Sequence, residues 1–178
     1  EIAADELGGV ARVDSRTKNL VKRLRPGEVA VIDHEDIDRV AAESLVEIRP
    51  AAVLNAAKST SGRYPNLGPQ ILVEAGIPVV DNLGSGIMDI RDGHTLKITQ
   101  DGEVFRGETL ISQGTYQTPE TIADDLISAK AGMTVQLKAF ANNTMEYLEK
   151  EQELILDGAG LPEVSTDFEG HHVLIVVR

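Results

Sequence analysis

The run "EVAVIDHEDIDRVAAESLVEIRPAAVLNAAKSTSGRYPNLGPQILVEAGIPVVD", Glu28 to Asp81, constrains the fold more than any other part of the chain. It holds three short apolar stretches, "EVAVI", "AAVLN" and "IPVVD", each sized for a buried strand. Between the first two, Ile37, Val40, Ala41, Leu45 and Ile48 recur at helical spacing, and Pro50 stops the pattern. Asp36 is the expected N-cap, and Asp38 lies in the first turn, where a negative charge suits the helix dipole. Before the third stretch, Pro69 to Ala75 predicts a brief helix with Gly76 as its C-cap. Strand, helix, strand, loop-helix, strand calls for a parallel sheet, because parallel neighbours can be joined only by crossovers.

The texture changes after Asp81. "DGHTLKITQDGEVFRGETLISQ" alternates apolar and polar residues, and "QDGE" signals a tight turn. Thr95 to Thr99, Glu103 to Phe105 and Thr109 to Ser112 are expected antiparallel strands, a small β-subdomain beside the parallel one. Thr17 to Leu24 predicts a short basic helix, so residues 1–26 are assigned as an N-terminal helical segment and 27–117 as the sheet domain.

Thr118 followed by Pro119 is a strong helix start, and helical spacing then persists through residues 118–153. Ile122, Leu126, Ala129, Met133, Leu137, Phe140, Thr144 and Tyr147 form a heptad seam with one stutter between Met133 and Leu137. The seam has two readings: a helix packed on its own domain, or a coiled-coil-like arm that packs on a partner helix or on a second copy. The length favours the second, with a homodimer expected. Residues 154–178 are expected to be a linker and the first strand of a further unit, "HHVLIVV". The chain opens on Glu1 rather than Met and stops on that strand, so both ends are expected to be cut.

Charge narrows the function classes. The formal net charge of −12 argues against nucleic-acid binding through a general basic surface. Without Cys there is no disulfide framework, thiolate metal site or cysteine nucleophile, which fits a cytoplasmic setting. No stretch approaches the ~20 apolar residues of a membrane span. The basic residues Arg16, Lys18, Lys22, Arg23 and Arg25 read as a solvated face, with an anionic membrane surface as the other reading.

The loop "NAAKSTSGRYPNLGP", Asn55 to Pro69, is the candidate site. In one reading it holds an anion: Ser59, Thr60 and Ser61 supply hydroxyls, Gly62 allows close backbone approach, Arg63 supplies a guanidinium, and Asn66 adds an amide. In the other it is a structured connection with Tyr64 and Leu67 packed inward and Asn66 bonding the turn. "DHEDID" reads as a capped helix start rather than a metal loop, since it lacks calcium-loop spacing. His171 and His172 point to opposite faces of a strand and cannot share a metal. No nucleophile–base pair or metal-ligand spacing stands out, so no enzymatic activity and no cofactor are expected of these residues.

Gly27 to Gly107, through "PGEVAVI", "AAVLNAAKSTSG", "LGPQILVEAGIPVV" and "IRDGHTLKITQDGEVFRG", resembles the swivelling phosphohistidine β/β/α domain of phosphoenolpyruvate-using enzymes. The resemblance implies an α/β swivelling-type domain followed by the helical arm. In that family a histidine opening the short helix carries the phosphoryl group; the matching position here is Leu67, so phosphotransfer by that route is not expected. Over the whole chain, "GEVAVIDHEDIDRVAAESLVE", "NAAKSTSGRYPNLGPQILVEAGIP", "LKAFANNTMEYLEKE" and "HHVLIVVR" resemble the amino-terminal half of SteA-type bacterial cell-division proteins. That resemblance implies a non-catalytic scaffold at the division septum, on the cytoplasmic face of the membrane, working with a membrane partner of SteB type that controls peptidoglycan hydrolysis. It also implies a thiamin-pyrophosphokinase-like domain beyond these residues, in which ATP would bind. The competing expectation is that this half regulates or dimerises such an enzyme.

Overall fold

The computed structural model describes residues 6–157, with side-chain surroundings up to Gln152. The strand expected at "HHVLIVV" lies outside the described residues. The chain divides into a compact unit ending at Gln136 and a second unit beginning at Leu137, and each is described by itself.

The first unit is built on strands β1 (Gly8–Val13), β2 (Val29–Ile32), β3 (Ala52–Asn55), β4 (Val79–Asp81), β5 (Thr95–Ile98), β6 (Glu103–Arg106), β7 (Thr109–Gln113) and β8 (Thr115–Tyr116). Its helices are α1 (Thr17–Leu20), α2 (Arg39–Ile48) and α3 (Gly68–Glu74), with a 3₁₀ turn at Ser85–Asp89. The long helix α4 (Pro119–Asp157) starts in this unit and continues through the second.

All eight strands belong to one mixed sheet, in the order β7-β6-β5-β1-β2-β3-β4-β8. The expected separate β-subdomain is therefore corrected to a continuous sheet, and β1 is the strand that makes it so. It pairs in parallel with β2, Ala11 opposite Val29, and antiparallel with β5, Gly9 opposite Leu96. The segment assigned as helical, 1–26, thus contributes a central strand and only the four-residue helix α1. Its glycines hid it from the strand pattern, yet Gly9 is required: a Cβ there would lie 2.7 Å from the Gly27 carbonyl oxygen.

Strands β1 to β4 are parallel and adjacent in chain order, so right-handed crossovers place α1, α2 and α3 on one face. Leu20, Ile37, Leu45 and Leu72 cover Ala30, Ile32, Val53 and Val79 there. The alternate residues of the same strands, Val29, Val31, Leu54 and Val80, face a second apolar layer with Ile87, Leu96, Ile98 and Val104. Both faces are buried, which is why these strands read as continuous apolar runs rather than as alternation.

The two ends of the strand order, β7 and β8, are separated in sequence by Gly114 alone. The sheet must curl back on itself to allow this. Gly114 N donates to the Gly102 carbonyl at 2.9 Å, and a Cβ on Gly114 would stand 2.2 Å from the Asp81 carbonyl oxygen.

One capping expectation needs adjusting and one helix runs longer than expected. The N-cap of α2 is Asp38, whose carboxylate accepts from Ala41 N at 2.9 Å; Asp36 has φ 56° and serves elsewhere. Helix α4 opens on Thr118 as expected, with reciprocal bonds from Thr118 N to the Thr121 hydroxyl and from Thr121 N to the Thr118 hydroxyl. It runs on to Asp157, through residues assigned to the linker.

Candidate functional site

The loops that follow β1, β2, β3 and β4 all leave from the carboxyl edge of the parallel strands, where open α/β sheets place their ligands. The Asn55–Pro69 loop lies in this row, and a buried polar chain anchors it. Asn55, the last residue of β3, pairs with the His34 backbone: Nδ2 donates to His34 O at 2.8 Å, and Oδ1 accepts from His34 N at 3.0 Å. Asn55 Nδ2 also donates to the Ser59 hydroxyl. Ser59 in turn donates its amide and its hydroxyl to Asp81 at the end of β4. Gln117 Nε2 reaches the second Asp81 oxygen at 3.3 Å, and Gln117 Oε1 accepts from Thr121 at the head of α4. One chain of bonds thus ties the ends of β2, β3 and β4 to the start of α4.

The next serine is occupied in the same way. Ser61 donates its amide and its hydroxyl to the two Asp36 oxygens, at 2.7 and 2.8 Å. This is what Asp36 does in place of capping α2. The two loop serines whose donors suit an incoming anion therefore already hold carboxylates from within the protein. Thr60 is buried. Arg63 is exposed, and among the described residues its guanidinium has no partner.

At this loop the close approach depends on Gly132 of α4: Gly62 itself adopts φ 89°, and a Cβ on it would meet nothing within 4 Å. A Cβ on Gly132 of α4 would lie 2.1 Å from the Gly62 carbonyl oxygen, so α4 packs directly on the loop. The Tyr64 hydroxyl adds a bond to Gln136 Oε1 at 3.2 Å. Tyr64 and Leu67 are half exposed, against the inward packing that belonged to the structured-connection reading. Leu67 sits at the N-cap position of α3 with no side-chain cap bond, and Asn66 spans the turn to the Tyr64 carbonyl at 3.5 Å. Gly68 is packed hard against Ile37, with a hypothetical Cβ 2.2 Å from its carbonyl oxygen.

Beside this network lies a polar cleft of about 330 Å³ lined by Lys58, Thr60, Asp81, Asn82, Asp124 and Asp125. Burial pushes the Asp81 carboxyl up from its ordinary value, against the opposing pull of the Ser59 bonds. Burial also raises Asp125, and the Lys58 charge works against that shift. Among the described residues no group of three or more His, Cys, Asp or Glu side chains is arranged to hold a metal ion.

A larger cleft, about 610 Å³, opens at the ends of β1 and β2, between α1 and α2. No motif marks it in the sequence, where its residues read as a helix start and a basic face. His34 lines it, with Nδ1 tied to the Thr17 hydroxyl at 2.9 Å.

The seam residues of α4 divide along the helix. Ile122 and Ala129 are buried, and Leu126 is half-buried. Met133 sits at the margin of exposure, while Leu137, Phe140 and Tyr147 are open, Leu137 at 56% and Phe140 at 70%. Among the described residues no helix is long and apolar enough to cross a membrane. A scan of protein-family models gives no match to this chain, and a search of curated proteins gives none either.

Proposed function

We propose that this chain is a non-catalytic scaffold whose α4 helix pairs with a second copy. The observation that carries the reading is the exposure of Leu137, Phe140 and Tyr147 on one stripe of a 39-residue helix. A helix of roughly 60 Å holds its shape in water chiefly through tertiary packing. Leaving such large apolar groups in solvent forgoes about 2 kcal/mol for each side chain that could be buried. Charge favours a second copy as the occupant. Lys138 precedes Phe140, and Glu149 and Glu151 follow it, so two antiparallel copies bring unlike charges together.

The resemblance described above supports the wider setting. A swivelling-type domain would carry the coiled-coil arm, and both would act in cell division at the septum. A membrane protein of SteB type would be the partner, and ATP would belong to a kinase-like domain outside these residues. The loop geometry supports a scaffold role, since the serine donors are spent on internal carboxylates and the Gly62 carbonyl lies against Gly132 of α4.

Light scattering after size exclusion tests this at two concentrations. The wild type is expected to be a dimer, and Leu137→Asp/Phe140→Asp a monomer with the same melting temperature for the sheet unit. A wild type that stays monomeric at the higher concentration sinks the proposal.

A further inference from the structure

The cleft between α1 and α2 carries a charge pattern that the scaffold reading does not use. One rim is basic, with Arg16 and Lys18 at the entry to α1; the other is acidic, with Asp33 after β2 and Asp38 at the head of α2. All four are exposed. Arg16, Lys18 and Asp33 have no side-chain partner among the described residues, and Asp38 uses one oxygen for its cap bond. Between the rims the wall is apolar, formed by Val21, Val40 and Ala41. Val40 is 71% exposed, although it belongs to a helix that buries Ala42 and Leu45 fully.

We propose that this cleft binds a small apolar zwitterion, an amino acid or dipeptide. Its carboxylate would face Arg16 and Lys18, its ammonium Asp33 and Asp38, and its side chain Val21, Val40 and Ala41. A polyphosphate is disfavoured by the two carboxylates on the second rim, and a simple cation by the two basic groups on the first. A purely apolar ligand leaves both rims unanswered. The volume of about 610 Å³ falls within the range of small-molecule sites, and the carboxyl edge of a parallel sheet is where such sites form. The Thr17–His34 bond ties α1 to the end of β2 and so holds the two rims in register.

Amide NMR spectra of the chain, titrated with leucine and separately with leucyl-leucine up to about 20 mM, test the assignment over the range where weak ligands saturate. Saturating shifts are expected at Thr17, Val21, His34 and Val40. N-acetyl-leucine and leucinamide each lack one charge, and each should bind about fivefold more weakly than leucine; the same two caps on leucyl-leucine serve the dipeptide arm. Saturation by leucine or by the dipeptide supports the proposal and fixes the ligand's length. Arg16→Glu/Lys18→Glu, at two exposed positions, should abolish the shifts while leaving the melting temperature unchanged. The proposal is overturned if neither compound gives saturating shifts at the cleft, or if the capped forms bind as well as their parents.

Discussion

Ser59 delivers both its amide and its hydroxyl to the same oxygen of Asp81, at 2.8 and 2.9 Å, inside the protein. Even so, burial outweighs these bonds and raises the Asp81 pKa. The folded state therefore holds the Asp81 proton more tightly than the unfolded state does. The resulting stability is fully present below the unfolded value near 3.8 and is lost as pH rises through the folded one.

Asp81→Asn should therefore melt higher than the wild type at neutral and alkaline pH. Its amide oxygen can still accept from Ser59, and Gln117 can turn to present its oxygen. Melting curves between about pH 4 and pH 8 check this, with the advantage of the variant shrinking as pH falls. A constant difference across that range would mean that charge burial is not the cause.

Asp36 fills the place an anion would take at Ser61. Asp36→Ala should free the Ser61 amide and hydroxyl and leave Arg63 nearby without a competing carboxylate. Inorganic phosphate should then raise the melting temperature of the variant and leave that of the wild type unchanged. A wild type stabilised by phosphate as strongly as the variant would show that the cradle is open already.

The contact of Gly132 with Gly62 sets two effects against each other. Gly132→Ala gains about 1 kcal/mol of helix propensity. The new Cβ would stand 2.1 Å from the Gly62 oxygen, and overpacking of this kind costs about 1–3 kcal/mol. The clash should win. The expected result is a lower melting temperature, with faster amide exchange in residues 122–136 and in the loop. Unchanged exchange there would show that the loop does not seat the helix.

Gly114→Ala tests the curl of the sheet. Its Cβ would meet the Asp81 carbonyl at 2.2 Å and Leu83 at 3.0 Å, and the former is backbone that cannot swing away. A loss of about 2–3 kcal/mol is expected in denaturant unfolding. Gly86→Ala, where nothing lies within 4 Å of the added carbon, is the control and should unfold like the wild type.

The parallel core was legible because β2, β3 and β4 are buried on both faces and leave unbroken apolar runs between periodic helices. Strand β1 was not legible, because "GGVARV" is too short and glycine-rich to alternate clearly, and its place depends on partners far away in sequence. The same limit applied to the candidate site. Ser59 and Ser61 were visible as donors, but the carboxylates that satisfy them come from 22 and 25 residues away, and spacing along the chain does not encode that. The close approach at the loop falls on Gly132, 132 − 62 = 70 residues further on, where the helical pattern of α4 gives no sign of it. The α1–α2 cleft left no motif, since its charges come from two short segments, residues 16–18 and 33–38, that only the fold brings together.

Strand β1 has a consequence for how the chain reaches this state. On one side it pairs Ala11 with Val29, and on the other Gly8 with Lys97, positions 97 − 8 = 89 residues apart. The middle of the sheet cannot close until β5, at residues 95–98, has returned to the first strand of the chain. Loop closure on that scale slows folding even where the finished contacts are strong. The parallel half can form early with β1 at its edge, but the other side of β1 stays unpaired until β5 arrives. In a ribosome-bound chain β1 should therefore behave as an exposed edge strand, with its amides exchanging readily, until β5 has cleared the exit tunnel.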